Sequence, residues 1–431
     1  MKRYLATAVM LIAVLLAEAQ NIYFNHLTPD DGLSQISVVS LYADEDGVMW
    51  MATRVGLNSY DGNSIQVYRQ KQNDSQSLFC NNVLRLTGDR QGHLYLLCTE
   101  GVARLDLHTR KFQTLKYSNN IGAICYHGGL YVSVGNTVQR MTTASGRFTP
   151  FIKLPGAAPA SCLTVDKQGR LWIGTQGEGV YCHDRGRLTH PITEGNITTV
   201  YEDSRQELWI GSWNHGFWHI DRKGTVRNMR QGQQLVSDFV RAFCEDDQGD
   251  MWIGTFHGLM RYSPRTGKSQ LFTANRDPGG LSNSSIWSII KDQQGTLWIG
   301  TYFGGVNYFN PEYEIYTHYR IADNEPSGLS SQIVGRMTED EKGNLWICTE
   351  GGGLNIYNRR THRFTWHRYP GSMISQNNLK AIYFDQSRHT MWIGTHLGGL
   401  DRIDLATGRT TVYRHMKGDA HSLPSDIVRD I

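Results

Sequence analysis

The sequence predicts an all-β fold: a β-propeller of four-stranded antiparallel blades, with one seven-bladed propeller followed by an incomplete second propeller. The first observation is a recurring phrase, a turn of the type Asp-x-x-Gly, then two residues, then an aromatic and often Ile-Gly-Thr. The aromatic falls at Trp50, Tyr95, Tyr131, Trp172, Trp209, Trp252, Trp298, Trp346 and Trp392, at intervals of 36 to 48 residues. Such a period marks stacked units, none of which can bury its apolar face alone. The second observation is composition: 45 Gly, 11% aromatic and only 19% charged residues among 431. That suits short strands joined by tight turns.

Taken in chain order, residues 1–19 read as a cleaved secretory leader. Lys2 and Arg3 precede an apolar run from Tyr4 to Leu16, and Ala17-Glu18-Ala19 supplies small residues at a cleavage site. The run is short for a membrane span of about 20 residues. No Cys lies near the site, which argues against a lipoprotein. Next, the segment Ile22 to Leu27 resembles the last strand of a repeat and is the natural candidate to close the ring by pairing with a blade from the other end.

One repeat, residues 281 to 318, shows the unit. Ile286 to Ile290 alternate as a strand, Asp292 to Gly295 make the turn, and Leu297-Trp298-Ile299 follow as the second strand. Asp bonds backbone groups two residues on, and Gly accepts the positive φ of such turns. Gly305 to Phe309 and Glu314 to His318 read as the third and fourth strands. The Gly after the second strand allows close approach of sheets, and the Trp offers a broad face to the next blade. These repeated residues therefore read as scaffold.

Three repeats depart from the pattern. Around Tyr95 the second strand reads one residue longer before Thr99, which predicts a bulge. The Tyr131 repeat has no Asp turn, and Asp385 precedes Trp392 by seven residues rather than six. Seven blades would use residues 20–311. Residues 312–431 would then begin a second propeller with two blades and part of a third, ending mid-blade at Ile431 as the N-terminal part of something longer or as a truncated product. A single ring of eight to ten blades is the alternative.

The net charge of +3 and the lack of a basic stripe give no reason to propose nucleic acid. Seven Cys, an odd number with no CxxC pair, read as small apolar core residues. Cys98 and Cys348 are each read at the position where other repeats carry Gly, and a Cys162–Cys182 bridge is the alternative to free thiols there. The sequence points to no cofactor, no metal centre and no catalytic residue.

The run from Gly32 to Arg69, "GLSQISVVSLYADEDGVMWMATRVGLNSYDGNSIQVYR", echoed by "DDQGDMWIGTFHGLMRY" and "DQQGTLWIGTYFGGVNYF", resembles the two-component regulator propeller repeat. The resemblance covers essentially residues 21 to 431. It implies the periplasmic sensor region of a hybrid two-component system, in a protein with a second propeller and further sensor domains, a membrane helix and a histidine kinase downstream. It also implies that a glycan fragment is sensed and that genes for polysaccharide use are switched on. The chain has no phosphoacceptor helix and no receiver Asp, so no signalling chemistry is carried onto its residues.

A ligand would sit on the face formed by the loops joining second and third strands. Three adjacent blades stand out there, with Trp213-Asn214-His215, Phe256-His257 and Tyr302-Phe303. Aromatic planes cover the C–H faces of sugars while amide and imidazole groups bond hydroxyls. Packing against a neighbouring propeller or in a homodimer is the other use of such rings. Sialidase-type turns need Ser-x-Asp-x-Gly-x-Thr-Trp, which is missing. A streptogramin-lyase-like enzyme would use a His in these loops, and His215, His257 and His396 occupy them without a recognisable partner base.

Overall fold

Turns built on Asp and Gly interrupt this chain so often that only short strands fit between them, and the observed strands are three to eight residues long. The computed structural model describes residues 22–431 apart from 142–145, 231, 233–234, 276–278, 312–318, 320 and 322–327. The leader 1–19 lies outside the described residues, as does the fourth strand expected at Glu314 to His318. Two compact units result, Met1–Ile315 and Tyr316–Ile431.

The first unit holds seven antiparallel four-stranded blades. Their innermost strands are Val38–Ala43, Val83–Gly88, Ile121–Tyr126, Ala160–Val165, Gly195–Glu202, Val240–Glu245 and Ile286–Lys291. Each packs on the next, and Ile286–Lys291 packs on Val38–Ala43, so the ring closes after seven blades. Blade 7 takes its fourth strand from the other end of the unit: Asn25–Leu27 pairs with Val306–Phe309 in the register Asn25 to Tyr308 and Leu27 to Val306. That pairing removes an open edge from the sheet. The second unit has two more four-stranded blades, Val334–His367 and Leu379–Tyr413. Beyond them, Val428 N–H donates to the Thr395 carbonyl and Gly399 N–H donates to that of Asp426. The latter bond repeats the one from Gly216 to Asp238 at the start of an innermost strand.

The repeated Asp does more than turn the chain. In blade 6, Asp246 Oδ1 accepts from the amides of Gln248 (3.0 Å) and Asp250 (2.9 Å), while Oδ2 accepts from the indole N–H of Trp252 at 2.9 Å. The same indole bond joins Asp44 to Trp50, Asp166 to Trp172, Asp203 to Trp209, Asp292 to Trp298 and Asp340 to Trp346. In blade 2 the Tyr95 hydroxyl reaches Asp89 at 3.4 Å instead. A buried carboxylate is stable only when its lone pairs are used, and here the turn and the aromatic use them together. The tethered ring then faces the next blade. Trp252 packs with Ile286, Ile289 and Leu297 of blade 7, and Trp298 packs with Val38, Leu41 and Met51 of blade 1. Fully burying such a side chain is worth roughly 1.5–3 kcal/mol, repeated around the ring.

Close approach of blades explains the Gly two residues after the aromatic. A Cβ at Gly254 would lie 2.7 Å from Ile286 Cγ2, and one at Gly300 would lie 2.8 Å from the Val38 carbonyl. Cys348 holds this position in the first blade of the second unit, opposite Leu354, and a small Gly335 lies near it, 3.7 Å from a Cβ added there to Cys348 Cβ.

The irregular repeat at Tyr95 corrects two expectations. No bulge interrupts the second strand at Tyr95: His93–Cys98 pairs continuously with Gly101–Asp106. Cys98 stands opposite Val83 as Thr53 stands opposite Val38, so Cys98 replaces the Thr and not the Gly, whose place Leu97 takes. The Asp89 to Tyr95 spacing is the usual six, which leaves no extra residue to accommodate. In the Trp392 blade the added residue is absorbed by a short 3₁₀ turn, Gln386–Arg388, which Asp385 caps. In the Tyr131 blade a Gly128-Gly129 turn, both at positive φ, replaces the Asp turn. All seven cysteines are free, which removes the Cys162–Cys182 bridge; both pack in the core between blades 4 and 5.

Asp246→Ala should therefore destabilise the first unit by about 3 kcal/mol, because it strips a buried indole and two amides of their acceptor. Urea denaturation checks this, with exposed Lys268→Ala expected within about 0.5 kcal/mol of the parent. Asp340 gives a pH prediction. Burial raises its pKa, but bonds from the Trp346 indole, the Asn344 side chain and the amides of Asn344 and Lys342 outweigh that and hold it below 3.8. A depressed folded pKa means the contribution is complete above the unfolded value and is lost as pH falls through the folded one. Melting of the parent should drop below pH 4 more steeply than melting of Asp340→Asn.

Candidate functional site

Each innermost strand carries one irregularity at the same place. In blade 6 Val240 pairs with Thr255 and Ala242 with Gly254, leaving Arg241 out of register; in blade 7 Ile286 pairs with Thr301 and Ser288 with Gly300, leaving out Trp287. Ser161 and Thr198 are the bulged residues of blades 4 and 5. A bulge re-aims its extra side chain, and here the bulged residue reaches the start of the next blade's innermost strand. Ser161 Oγ donates to the Ile197 carbonyl at 2.6 Å, Thr198 Oγ1 to the Val240 carbonyl at 2.5 Å, and Arg241 Nη1 to the Ile286 carbonyl at 3.4 Å and Ser285 Oγ at 2.9 Å. These bonds tie neighbouring innermost strands together at the axis.

The loops between second and third strands open from the same end. The amides of Trp213, Phe256 and Tyr302 donate to the Asn196, Phe239 and Ser285 carbonyls at 2.9, 3.1 and 3.0 Å, so the three side chains leave equivalent points of blades 5, 6 and 7. Below each loop a hydroxyl folds the backbone: Ser212 Oγ donates to the Gly216 carbonyl, Thr255 Oγ1 to that of Gly258 and Thr301 Oγ1 to that of Gly305. Trp213 is 41% exposed, Phe256 42% and Phe303 60%.

Arg241 draws these rings together. Its guanidinium lies 4.9 Å from the Trp213 ring centre, 5.0 Å from that of Phe256 and 4.5 Å from that of Trp287. Trp287 stacks on Tyr302, which meets Phe303 edge-on at 4.2 Å, and Phe239 bridges Trp213 and Phe256. Arg54 of blade 1 lies 5.8 Å over the Tyr302 ring. Burial lowers the Arg241 pKa to about 10, still well above neutral, so the group stays cationic. Arg85 of blade 2 reaches across to the Ser161 and Thr198 carbonyls at 3.4 and 3.2 Å.

Trp213, Phe256, Tyr302 and Phe303 are thus neighbours in one aromatic face. Asn214 and His215 bond each other at 2.7 Å, and His215 stacks on Trp218. His257 bonds Ser237 Oγ at 3.1 Å beside the Phe256 ring. Sequence reading passed over Arg241 and Trp287, although both stand eleven residues before their blade's Trp. That offset was the available signal, and it has meaning only once the bulge is known.

Two surface cavities of about 590 and 650 Å³ lie instead by the Asp turns, at the other ends of the strands. Near one, Asp203, Glu207 and His219 come within metal-ligand reach of one another. Their charge is already answered: Arg205 lies 3.1 and 3.8 Å from the two carboxylates, and Asp203 also takes the Trp209 indole N–H.

Residues 32–54, 153–177, 191–214, 234–257, 280–303 and 328–351 each match the family described as "Two component regulator propeller". These six segments are two-component regulator propeller repeats. Sixty-four residues are 44% identical to histidine kinase P4 of Formosa agariphila, covering 15% of this chain and 5% of that protein. The repeat chain also matches the extracellular domain of the putative hybrid two component system BT3049 from B. thetaiotaomicron, with a TM-score of 0.63, 22% identity, and coverage of 94% of this chain and 62% of that one. Virginiamycin B lyase from Staphylococcus aureus matches with a TM-score of 0.53 and 14% identity, covering 67% of this chain and 98% of the lyase. At these identities the two structures speak for the fold alone, and the chain spans less than two thirds of either the kinase or the BT3049 domain. No described helix is long and apolar enough to cross a membrane.

If the bulge hydroxyls set blade spacing, Thr198→Val, which keeps the shape and removes the donor to Val240, should cost about 1 kcal/mol in urea unfolding. A cost within error would show the bond to be incidental.

Proposed function

We propose that this chain is the exported sensing region of a hybrid two-component regulator, and that it recognises a glycan fragment on the loop face of blades 5 to 7. Recognition there would switch on genes for using the parent polysaccharide. The observation that carries this reading is the aromatic face of exposed Trp213, Phe256 and Phe303 with half-buried Tyr302 beside them, held over loop hydroxyls and, for Trp213 and Phe256, against Arg241. Exposed rings of this size are costly to leave in water, and a rigid group of them rimmed by polar residues marks a binding surface. Sugar rings suit it because their C–H faces stack on aromatics while Asn214, His215 and His257 offer donors and acceptors to hydroxyls. The repeats and the similarity to extracellular two-component domains support the sensing role.

Catalysis by a His in these loops finds less support. His215 is held by Asn214 and Trp218, with the largely exposed Glu194 no closer than 3.9 Å, and His257 by Ser237.

Isothermal titration against a library of oligosaccharides tests the reading. Trp213→Ala and Phe303→Ala should each weaken the best binder by about tenfold or more, the scale of losing one stacked ring. Their melting temperatures should stay within about 4 °C of the parent, since both side chains are substantially exposed. Collapse of the fold in both variants would make the rings scaffold. Intact folds with no saccharide bound at any concentration would favour a protein-binding surface.

A further inference from the structure

Arg241 has no charge partner. Its side chain is only 8% exposed, its Nε is buried without an acceptor, and among the described residues no carboxylate lies within ion-pair distance. Three half-buried arginines of the ring are answered by carboxylates, Arg170 by Asp166, Arg205 by Asp203 and Arg261 by Asp246 and Asp250, whereas half-buried Arg85, Arg104 and Arg140 use carbonyl or amide oxygens. An unpaired buried cation is among the most expensive features a fold can hold. The three surrounding rings offset part of that expense through their negative faces, and Ser285 Oγ and the Ile286 carbonyl accept from Nη1.

The neighbourhood adds two arginines, and its carboxylate Glu194, largely exposed, lies 3.9 Å from His215 Nε2 and makes no ion pair with Arg241. Arg54 lies over Tyr302 on the same face, and Arg85 crosses the axis to carbonyls of blades 4 and 5. The loops Trp213 to Gly216, Phe256 to Gly258 and Tyr302 to Gly305 contain no acidic residue. The indole N–H of Trp287, whose ring covers Arg241, is also buried without an acceptor. Donors in excess of acceptors, gathered at the floor of an aromatic box, describe a receptor for an anion attached to an apolar-faced body.

From this we infer that the glycan recognised on this face is acidic, with a carboxylate or sulfate group directed at Arg241 while sugar faces rest on Trp213, Phe256 and Phe303. The inference rests on the glycan reading above and goes further by naming the charge of the ligand. A guanidinium binds such oxyanions through paired charge-assisted hydrogen bonds, and a low-dielectric aromatic surround strengthens them. A uronate and a sulfate ester share the chemistry, and the test separates them.

The probes are an oligogalacturonate of four residues, its fully methyl-esterified counterpart and a sulfated galactan tetrasaccharide, titrated into the full chain at two salt concentrations. The acidic probe of the right class should bind about tenfold or more tighter than the neutral ester. Arg241→Gln should abolish that difference, while Arg241→Lys should retain part of it. Tighter oligogalacturonate than sulfated galactan identifies a uronate site, and the reverse a sulfate site. Should Arg241→Gln fail to fold, the acid-to-ester ratio in the parent and its decline with salt still decide. Equal binding of the acid and ester, weakened by Trp213→Ala, overturns the acidic assignment and leaves glycan recognition standing. Absence of binding by all three probes overturns both.

Discussion

The bond between one carboxylate oxygen and one indole N–H, six residues apart, is the interaction on which this structure depends. It lets a single Asp close the turn with one oxygen and orient the aromatic with the other, as Asp246 does for Trp252 and Asp166 for Trp172. Without the tether, an indole at the sheet face would have several rotamers and a polar atom to satisfy. With it, the ring has one direction, and that direction is the neighbouring blade. Five blades of the ring carry this indole tether, blade 2 holds Tyr95 on Asp89 instead and blade 3 packs Tyr131 without one, and Asn25–Leu27 joins the ends.

A second constraint operates at the axis. The bulge one residue into each innermost strand turns a side chain that would lie within the sheet toward the next blade. In blades 4 and 5 the bulged residues are Ser161 and Thr198, and they serve only to brace. In blades 6 and 7 the same positions hold Arg241 and Trp287, too large to be mere braces, and exposed rings gather above them. The scaffold thus supplies an addressed position in every blade. Individual blades decide what stands there.

Much of the fold was legible because the repeat is local. Asp292 to Trp298 reads as turn and strand from seven consecutive residues, and the period says the unit is stacked. Where the text misled, the reason was counting without a partner strand. Thr99 looked like the end of a strand with one residue added, whereas the pairing of Val83 with Cys98 shows that Cys98 stands in the place of Thr. The aromatic loops Trp213, Phe256, Tyr302 and Phe303 were readable as candidates because loop position follows from the repeat. Their relation to Arg241 was not, since Arg241 looks in sequence like one more polar residue beside a strand.

Sequence alone determined the blade: its strands, its turn, the aromatic that faces outward from each sheet, and the loops free to vary. These follow from residue types within about ten positions of one another, where backbone geometry and side-chain chemistry act directly. Tertiary structure decided what the blades do together. It placed a guanidinium from one blade among rings from three, at 4.5 to 5.0 Å. Those contacts join residues that are tens of positions apart, and their distances are set by the curvature of the ring and the bulge at its axis. No property of the individual residues contains that information.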